Sequence, residues 1–386
     1  MESKVVDGRL VIQVAGRINA NNAKELEEEL DRIVAAHAGF PVVLDAGELE
    51  YISSAGLRVM LKLRKQLGGL TVVETSPEVY EVFEVTGFTE LFDVNRRMRH
   101  VSIEGCECIG KGGNGAVYRL DAETIVKVYY GSTETLEKIQ ESRRSAQKLM
   151  AYGIPVAIAF DVVRVGEDYG LVYELLDCKT IGELIHDDPT TAERWAHEAS
   201  EILKLLHTTE VPEGTFPDAR DSGHRWVEVA KDVLTEDQRA RLHRIYDTMP
   251  VKNTLVHGDY HAGNIMVQNG EIVLIDTDDV AQGDPIIDFA GMSVTFEGIT
   301  TDSMSLEVIG MTVDEKDRYF DAFLRDYYGT DDEAVLQGYA YQRKVHSLIK
   351  MLYGMCKTDK LPQEVKDQYI PGIREGLMQL LDAMGM

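Results

Sequence analysis

Residues 255–276 read LVHGDYHAGNIMVQNGEIVLID, and three oxygen-bearing side chains in this run have the spacing of a reaction centre. Asn269-Gly270 is a favoured two-residue turn between apolar strands. Pairing centred on that turn sets Asn264 opposite Ile275, with Asp276 one residue beyond. Asn264 and Asp276 then emerge at the same open end of one hairpin. An amide oxygen beside a carboxylate suits a hard cation such as Mg²⁺, above all one that also holds phosphates. Asp259 lies five residues before Asn264, in the loop that feeds the hairpin. A carboxylate there can take the proton of a hydroxyl as it attacks phosphorus. Asp, Asn and Gly are also ordinary turn residues, so the hairpin needs support from elsewhere in the chain.

That support starts at GKGGNG, where Gly110, Gly112 and Gly115 stand in G-x-G-x-x-G spacing with Gly113 between them. Glycines let a backbone lie close to phosphate oxygens with its N–H groups pointing in. The loop joins two strands rather than a strand and a helix, which argues against a dinucleotide fold. About twelve residues on, Lys127 interrupts the apolar strand TIVKVYY. A lysine there needs a partner or a ligand, unless it sits on an edge strand facing water. Glu137 and Glu141 on the following helix are candidate partners, with Glu141 preferred.

The elements that carry these residues fall into two textures. Up to about residue 95 strands and helices alternate. RLVIQVAG, FPVVLDAG and LTVVET read as strands. NAKELEEELDRIVAAH, AGLRVMLKLRKQLG and SPEVYEVFEVTGF read as helices, with Leu26, Leu30 and Ile33 at helical spacing in the first and Ser76 as cap of the third. FDVNRRMRHVSIEG reads as a junction. Beyond it come hairpin-linked strands, a helix with Ser132 as its expected cap, and two more strands. From Thr180 onward the pattern is mostly helical, opening on a Thr180–Glu183 capping box.

In order, the Gly loop, Lys127, a helix Glu, Asp259, Asn264 and Asp276 resemble the protein-kinase-like superfamily. HGDYHAGN matches the pattern H-x-D-x-x-x-x-N, and LIDTDD supplies the metal-binding Asp. Gly258, where protein kinases usually have Arg, and GDPIIDFA, with Gly283, Asp284, Pro285 and Asp288, are similar to the aminoglycoside phosphotransferase and choline kinase branch. The resemblance spans roughly residues 100–386. It implies that Asp259 is the catalytic base or hydroxyl-orienting carboxylate and that Asn264 and Asp276 hold Mg²⁺. It also implies that Lys127, paired with Glu141, contacts the α- and β-phosphates of ATP under the Gly110–Gly115 loop. YELL, with Tyr173 and Glu174, would be the hinge beside adenine. His257 would brace the catalytic loop and Asp288 would support it from below.

In the first texture, YISSAGLR after VVLDAGELE, together with GRINANNAKELEEEL, resembles the STAS domain of anti-sigma factor antagonists over about residues 4–95. Asn19 stands where that family usually has Asp, and Ala55 where Ser or Thr is frequent. The family's phosphorylated serine lies two before the glycine, which is Ser54 here. Ser53 and Ser54 would otherwise serve as plain N-caps.

The expected architecture is thus an α/β STAS domain, a mixed sheet with helices, over residues 1–98. An α+β two-lobed protein-kinase-like domain follows over 99–386, with an antiparallel N-lobe sheet to about 178 and a mainly helical C-lobe from about 179. The net charge is −26, and residues 1–99 hold only 16 acidic and 12 basic side chains. The acidic body is therefore the later part, which disfavours nucleic acid and anionic membrane as partners. No apolar run reaches 18 residues and no signal-peptide pattern opens the chain, so a cytoplasmic protein is expected, with Cys106, Cys108, Cys178 and Cys356 as reduced thiols. Three functions fit. The first is an ATP- and Mg²⁺-dependent phosphotransferase acting on a small hydroxyl compound, amine-bearing if Asp278, Asp279 and Asp284 face it, with the STAS module docking an anti-sigma factor or other partner. The second is a serine kinase acting on Ser54 of its own or a partner STAS domain. The third is a nucleotide-binding scaffold without chemistry.

Overall fold

The computed structural model describes residues 1–6, 8–111, 115–131, 135–176, 178–358 and 361–385. The chain divides into two compact units, Met1–Val101 and Ser102–Met386.

In the first unit, β1 (Ser3–Val6) and β2 (Arg9–Ile18) form an antiparallel pair. The sheet continues in parallel through β3 (Val42–Ile52), β4 (Thr71–Thr75) and β5 (Asp93–Arg96). Helices α1 (Ala23–Ala36), α2 (Ser54–Leu67) and α3 (Pro77–Val85) make the connections. The side-chain period explains the assignment. Leu10, Ile12 and Val14 alternate inward along β2, while Val42, Val43 and Leu44 run buried along β3, as a strand covered on both faces requires. Leu30 is buried on α1, with Leu26 and Ile33 packed against the same core. Gly68 ends α2 in the left-handed region at φ 77°, a position L side chains rarely adopt. Ser76 caps α3, accepting from the Val79 amide at 3.3 Å. The run expected as a junction begins later than its sequence suggests. Asp93 pairs with Thr71 and Val94 with Val72, so residues 93–96 close the sheet instead of leaving it.

The second unit opens with an antiparallel sheet. Its strands follow the order Ala159–Val165, Asp168–Glu174, Thr124–Tyr129, Gly115–Arg119, Cys108–Lys111. Helix α4 (Leu136–Ala151) follows the Thr124–Tyr129 strand. Its cap is Thr135, which accepts from the Lys138 amide at 3.3 Å. Ser132, the expected cap, lies outside the described residues, and the helix begins after it. The remainder is mainly helical: α5 (Ile181–Asp187), α6 (Ala192–Thr208), α7 (Ala219–Val229), α8 (Glu236–Asp247), α9 (Ile286–Gly298), α10 (Asp302–Ile309), α11 (Val313–Tyr328), α12 (Glu333–Lys357) and α13 (Gln363–Met384). The Thr180–Glu183 capping box opens α5 with both reciprocal bonds formed. Trp195, Leu203, Phe296, Tyr319 and Phe323 bind the first of these helices into one core. Among the described residues no helix is long and apolar enough to cross a membrane.

Between α8 and α9 lies the hairpin Ile265–Gln268 and Glu271–Leu274. Asn269 at φ 54° and Gly270 at φ 86° supply the positive dihedrals its two-residue turn demands.

Gly56 shows how tightly the first unit is packed. A Cβ there would sit 2.5 Å from Ile18 Cγ2 and 2.8 Å from Ile52 Cγ1. We expect Gly56→Ala to destabilise this unit by about 1–3 kcal/mol, the usual range for overpacking. Hydrogen exchange of peptides from residues 1–101 in the full chain, at rising urea, measures it.

Candidate active site

The hairpin register brings two of the candidate site residues together. Ile265 pairs with Leu274, and one step further the Ile275 amide donates to the Asn264 carbonyl at 3.0 Å. Asn264 and Asp276 therefore leave the hairpin at its open end. Asn264 is buried, and its amide nitrogen donates to the Asp259 carbonyl at 2.9 Å. That fixes the side chain so that only its carbonyl oxygen can serve a cation. Asp276 has φ 56°, a left-handed backbone that an Asp tolerates better than most residues.

Lys127 reaches this end from the Thr124–Tyr129 strand. Its Nζ lies 2.7 Å from both Asp276 Oδ1 and Asp278 Oδ2. The Tyr129 hydroxyl also donates to Asp278, at 3.1 Å. Burial works to discharge the ammonium, but Asp278 and Asp276 outweigh it and hold the Lys127 pKa above the ordinary lysine value. Glu141, the expected partner, is not on this side. Ile139, Ser142, Ser145, Ala146 and Leu149 form the buried face of α4, and Glu141 is exposed beside it. Among the described residues Lys127 is paired with Asp276 and Asp278, and with neither Glu137 nor Glu141.

The loop before the hairpin hangs on a buried carboxylate. Asp288, fully buried on α9, accepts the His257 amide at 2.9 Å and the Gly258 amide at 2.5 Å. His207 Nε2 lies 3.0 Å from the same carboxylate, and the Tyr327 hydroxyl lies 2.6 Å from the other His207 nitrogen. Burial pushes the Asp288 pKa up, but the bond to His207, the neighbouring histidines and the His257 amide together hold it below the usual carboxylate range. Gly258 has φ 86°, and a Cβ there would run into the Asp279 carbonyl. No arginine could stand at this position without moving that backbone. The bend sets Asp259 half-exposed at the mouth of the loop. Its Oδ1 lies 4.0 Å from Lys350 Nζ, and Lys350 donates to the Gly258 carbonyl at 2.8 Å.

A cleft of about 510 Å³ meets this cluster. Gly110 and Lys111 stand on one side, Ile109, Val117, Ala157 and Tyr173 along its wall, and Asn264, Asp276 and Lys127 at its polar end. Glu174 lines it too, but its carboxylate is taken by the Ile158 amide at 2.8 Å. Gly115 is glycine for another reason: a Cβ there would strike the Val128 carbonyl of the adjacent strand. Gly112 and Gly113 lie outside the described residues.

Several groups were not anticipated. Lys350 and His261 meet the loop at residues 257–264, His207 meets the carboxylate that holds it, and Arg225 on α7 and Lys357 on α12 line the recess beside Asp259. Arg343, Lys350 and Lys357 recur every seventh residue, which puts basic groups along one face of a helix. That spacing is the one signal the sequence offered. The far end of α10 also lines the cleft, through Leu306, Val308 and Ile309. In the first unit, Ser53 caps α2 by accepting from the Gly56 amide at 3.5 Å, while Ser54, the first helical residue, is exposed.

The Asp288 clamp makes a stability prediction. Asp288→Ala strands two buried amides and should cost about 3–5 kcal/mol, as breaking a buried charged pair does. Asp288→Asn, which keeps one acceptor, should cost less. A depressed carboxylate pKa stabilises the fold above the ordinary Asp value and loses that contribution as pH falls through the folded value. The gap between wild type and Asp288→Asn should therefore be full at neutral pH and shrink below about pH 4. Urea unfolding of both proteins across pH measures it.

A model of the phosphotransferase enzyme family matches residues 106–339, and one of the STAS domain matches residues 1–101. BtrV of Bordetella bronchiseptica, provisionally named an anti-sigma factor antagonist, is 47% identical over 93 residues, covering 23% of this chain and 79% of that protein. The streptomycin–ATP–APH(2″)-IIa ternary complex is similar at 16% identity and a TM-score of 0.44, covering 72% of this chain and 90% of that chain. A choline/ethanolamine kinase family protein from Mesorhizobium loti is similar at 14% identity and a TM-score of 0.43, covering 72% and 87%. With the family match extending over more than half of its length, the chain belongs to the phosphotransferase enzyme family, and a STAS domain precedes its phosphotransferase region.

Proposed function

We propose that the chain transfers the γ-phosphoryl group of ATP to a hydroxyl of a small molecule, with Mg²⁺ as cofactor. One observation carries this reading: Asn264, Asp276 and Lys127 stand together at the polar end of one apolar-walled cleft, and Asp259 lies against Asn264 in an adjoining recess that shares Asp276. The division into residues 1–98 and 99–386, with lobes meeting near 178, is part of the same proposal. So is a cytoplasmic setting, and a STAS module that regulates the enzyme or docks an anti-sigma factor or similar protein.

The donor set fits the cation. The Asn264 carbonyl and the Asp276 carboxylate are hard oxygens, and Asn264 has no other group to offer. Mg²⁺ bound there would neutralise charge on the phosphates. Lys127 supplies a fixed positive charge beside the same carboxylates, placed to meet phosphate oxygens. Asp259 orients the acceptor hydroxyl and takes its proton. The acceptor oxygen forms a bond to the γ-phosphorus, the bond from that phosphorus to the bridging oxygen breaks, and ADP leaves with the electron pair. The covalent work is small, and positioning by the clamped loop supplies most of the acceleration.

A second reading is favoured by one observation, the exposure of Ser54 at the start of α2. Phosphate there would meet unpaired helix amides and the positive end of the dipole. On that reading the enzyme is a serine kinase of STAS domains.

Asp259→Asn should lower phosphate transfer by about 10²–10⁴-fold, the usual contribution of a positioned base. Nucleotide affinity should be retained, because Asp259 faces the acceptor. Radiolabel transfer from ATP and calorimetric ATP binding check the two parts. Intact mass after incubation with ATP separates the readings: a phosphate gained by wild type and lost in Ser54→Ala favours the second.

A further inference from the structure

Around Asp259 the structure sets three cations among the aspartates. Arg225, Lys138 and Lys357 line a small recess of about 70 Å³ that also holds Asp259, Asp276, Asp278, Asp279 and Tyr353. Lys350 stands behind Asp259, its Nζ 5.3 Å from the Trp226 ring. Lys357 is exposed, its Nζ 5.4 Å from the Tyr353 ring. Lys350 and Lys357 are seven residues apart on α12, or about 10 Å along the helix. The two lysines thus bracket the mouth of the catalytic loop.

The carboxylates at this end are already committed. Asp276 and Asp278 share Lys127. Asp279 is held by Arg225 at 3.1 Å; burial opposes its ionisation, but Arg225 and the lysines keep its pKa below the ordinary value. Asp284, the third acid that could have faced an ammonium, is 2.8 Å from Lys252 and also accepts the Ile286 amide at 3.0 Å. Asp259 has Lys350 beside it and must stay available for the hydroxyl proton. An ammonium group entering here would find no uncommitted carboxylate and would face Arg225, Lys350 and Lys357. Like charges so placed disfavour the wrong ligand strongly.

We infer that the acceptor is an anionic alcohol, a small molecule whose hydroxyl lies against Asp259 and whose carboxylate or phosphate is met by Lys357 and Arg225. This rests on the phosphotransferase reading and replaces the amine-bearing acceptor suggested by the acidic sequence around Asp278. Arg225 offers a planar fork that matches either anion, and its present partner Asp279 is half-exposed, so an anion can share it. Charge selection at this recess is set by the groups within a few ångströms rather than by the overall acidity of the chain, because charges farther away are screened.

The test uses the full chain with ATP and Mg²⁺, following ADP release with matched alcohols. Glycolate, glycerate and glycerol 3-phosphate are set against ethanolamine, choline and glucosamine. The inference expects kcat/KM for at least one anionic alcohol to exceed that of every amine by tenfold or more. Whether the carboxylates or the phosphate ester lead identifies the anion. Lys357→Glu, a change at an exposed position, should raise KM for that alcohol tenfold or more, with KM for ATP as internal control. Preference for an amine overturns the inference and leaves the phosphotransferase reading standing. Calorimetry with the same compounds covers the case of no turnover. Binding of the anions, weakened by Lys357→Glu, supports the inference, and failure of all of them to bind overturns it. Failure to bind ATP in the same instrument would instead count against the phosphotransferase reading itself.

Discussion

Two consecutive backbone amides, those of His257 and Gly258, end on one buried carboxylate, Asp288. The rest of the site depends on that bond pair. An ionised Asp inside a core is unfavourable unless its lone pairs are met. Here they are met by the loop that carries Asp259, and His207 completes the set. The loop is therefore tied to α9 and α6 and is also held by bonds of its own, such as that from Asn264 to the Asp259 carbonyl. Gly258 is the geometric consequence. With both amides aimed at Asp288, the chain must pass through a positive φ and close against Asp279, and only glycine fits. Asp259 follows immediately and takes its direction from that bend.

The same logic of committed charge runs through the polar end of the cleft. Four aspartates, Asp259, Asp276, Asp278 and Asp279, line one recess in a chain of net charge −26. They coexist because each has a cation: Lys127 for Asp276 and Asp278, Arg225 for Asp279, Lys350 for Asp259. These cations come from the sheet, from α7 and from α12. The electrostatic balance thus joins the strands to the helices around the cleft, and Asp259 has the longest of these pairings, at 4.0 Å.

Much of this was legible from local rules. The Asn269-Gly270 turn fixes a register, and the register puts Asn264 and Asp276 together, because hairpin pairing is set by the turn. The alternation of β2 and the helical spacing of α1 gave the first unit its elements for the same reason. Long-range pairing was less accessible. Lys127 was visible as a charge in an apolar strand, but its partner was not. Glu141 looked suitable by proximity in sequence, whereas α4 turns its small residues inward and leaves Glu141 at the surface. Lys350, Lys357 and Arg225 come from helices distant in sequence, and only the seven-residue spacing on α12 hinted at a shared face. Strand β5 was hidden in a run whose charged residues read as a linker, because its pairing partner lies across α3.

If Asn264 and Asp276 hold the cation beside Lys127, ATP binding depends on Mg²⁺ through Asp276. Calorimetric titration of ATP, with Mg²⁺ and with EDTA, into wild type and Asp276→Ala tests it directly. Wild type should bind ATP more tightly with Mg²⁺ than with EDTA, and Asp276→Ala should lose that gain while still folding. An equal gain from Mg²⁺ in both proteins would contradict the account, because the cation would then be held elsewhere.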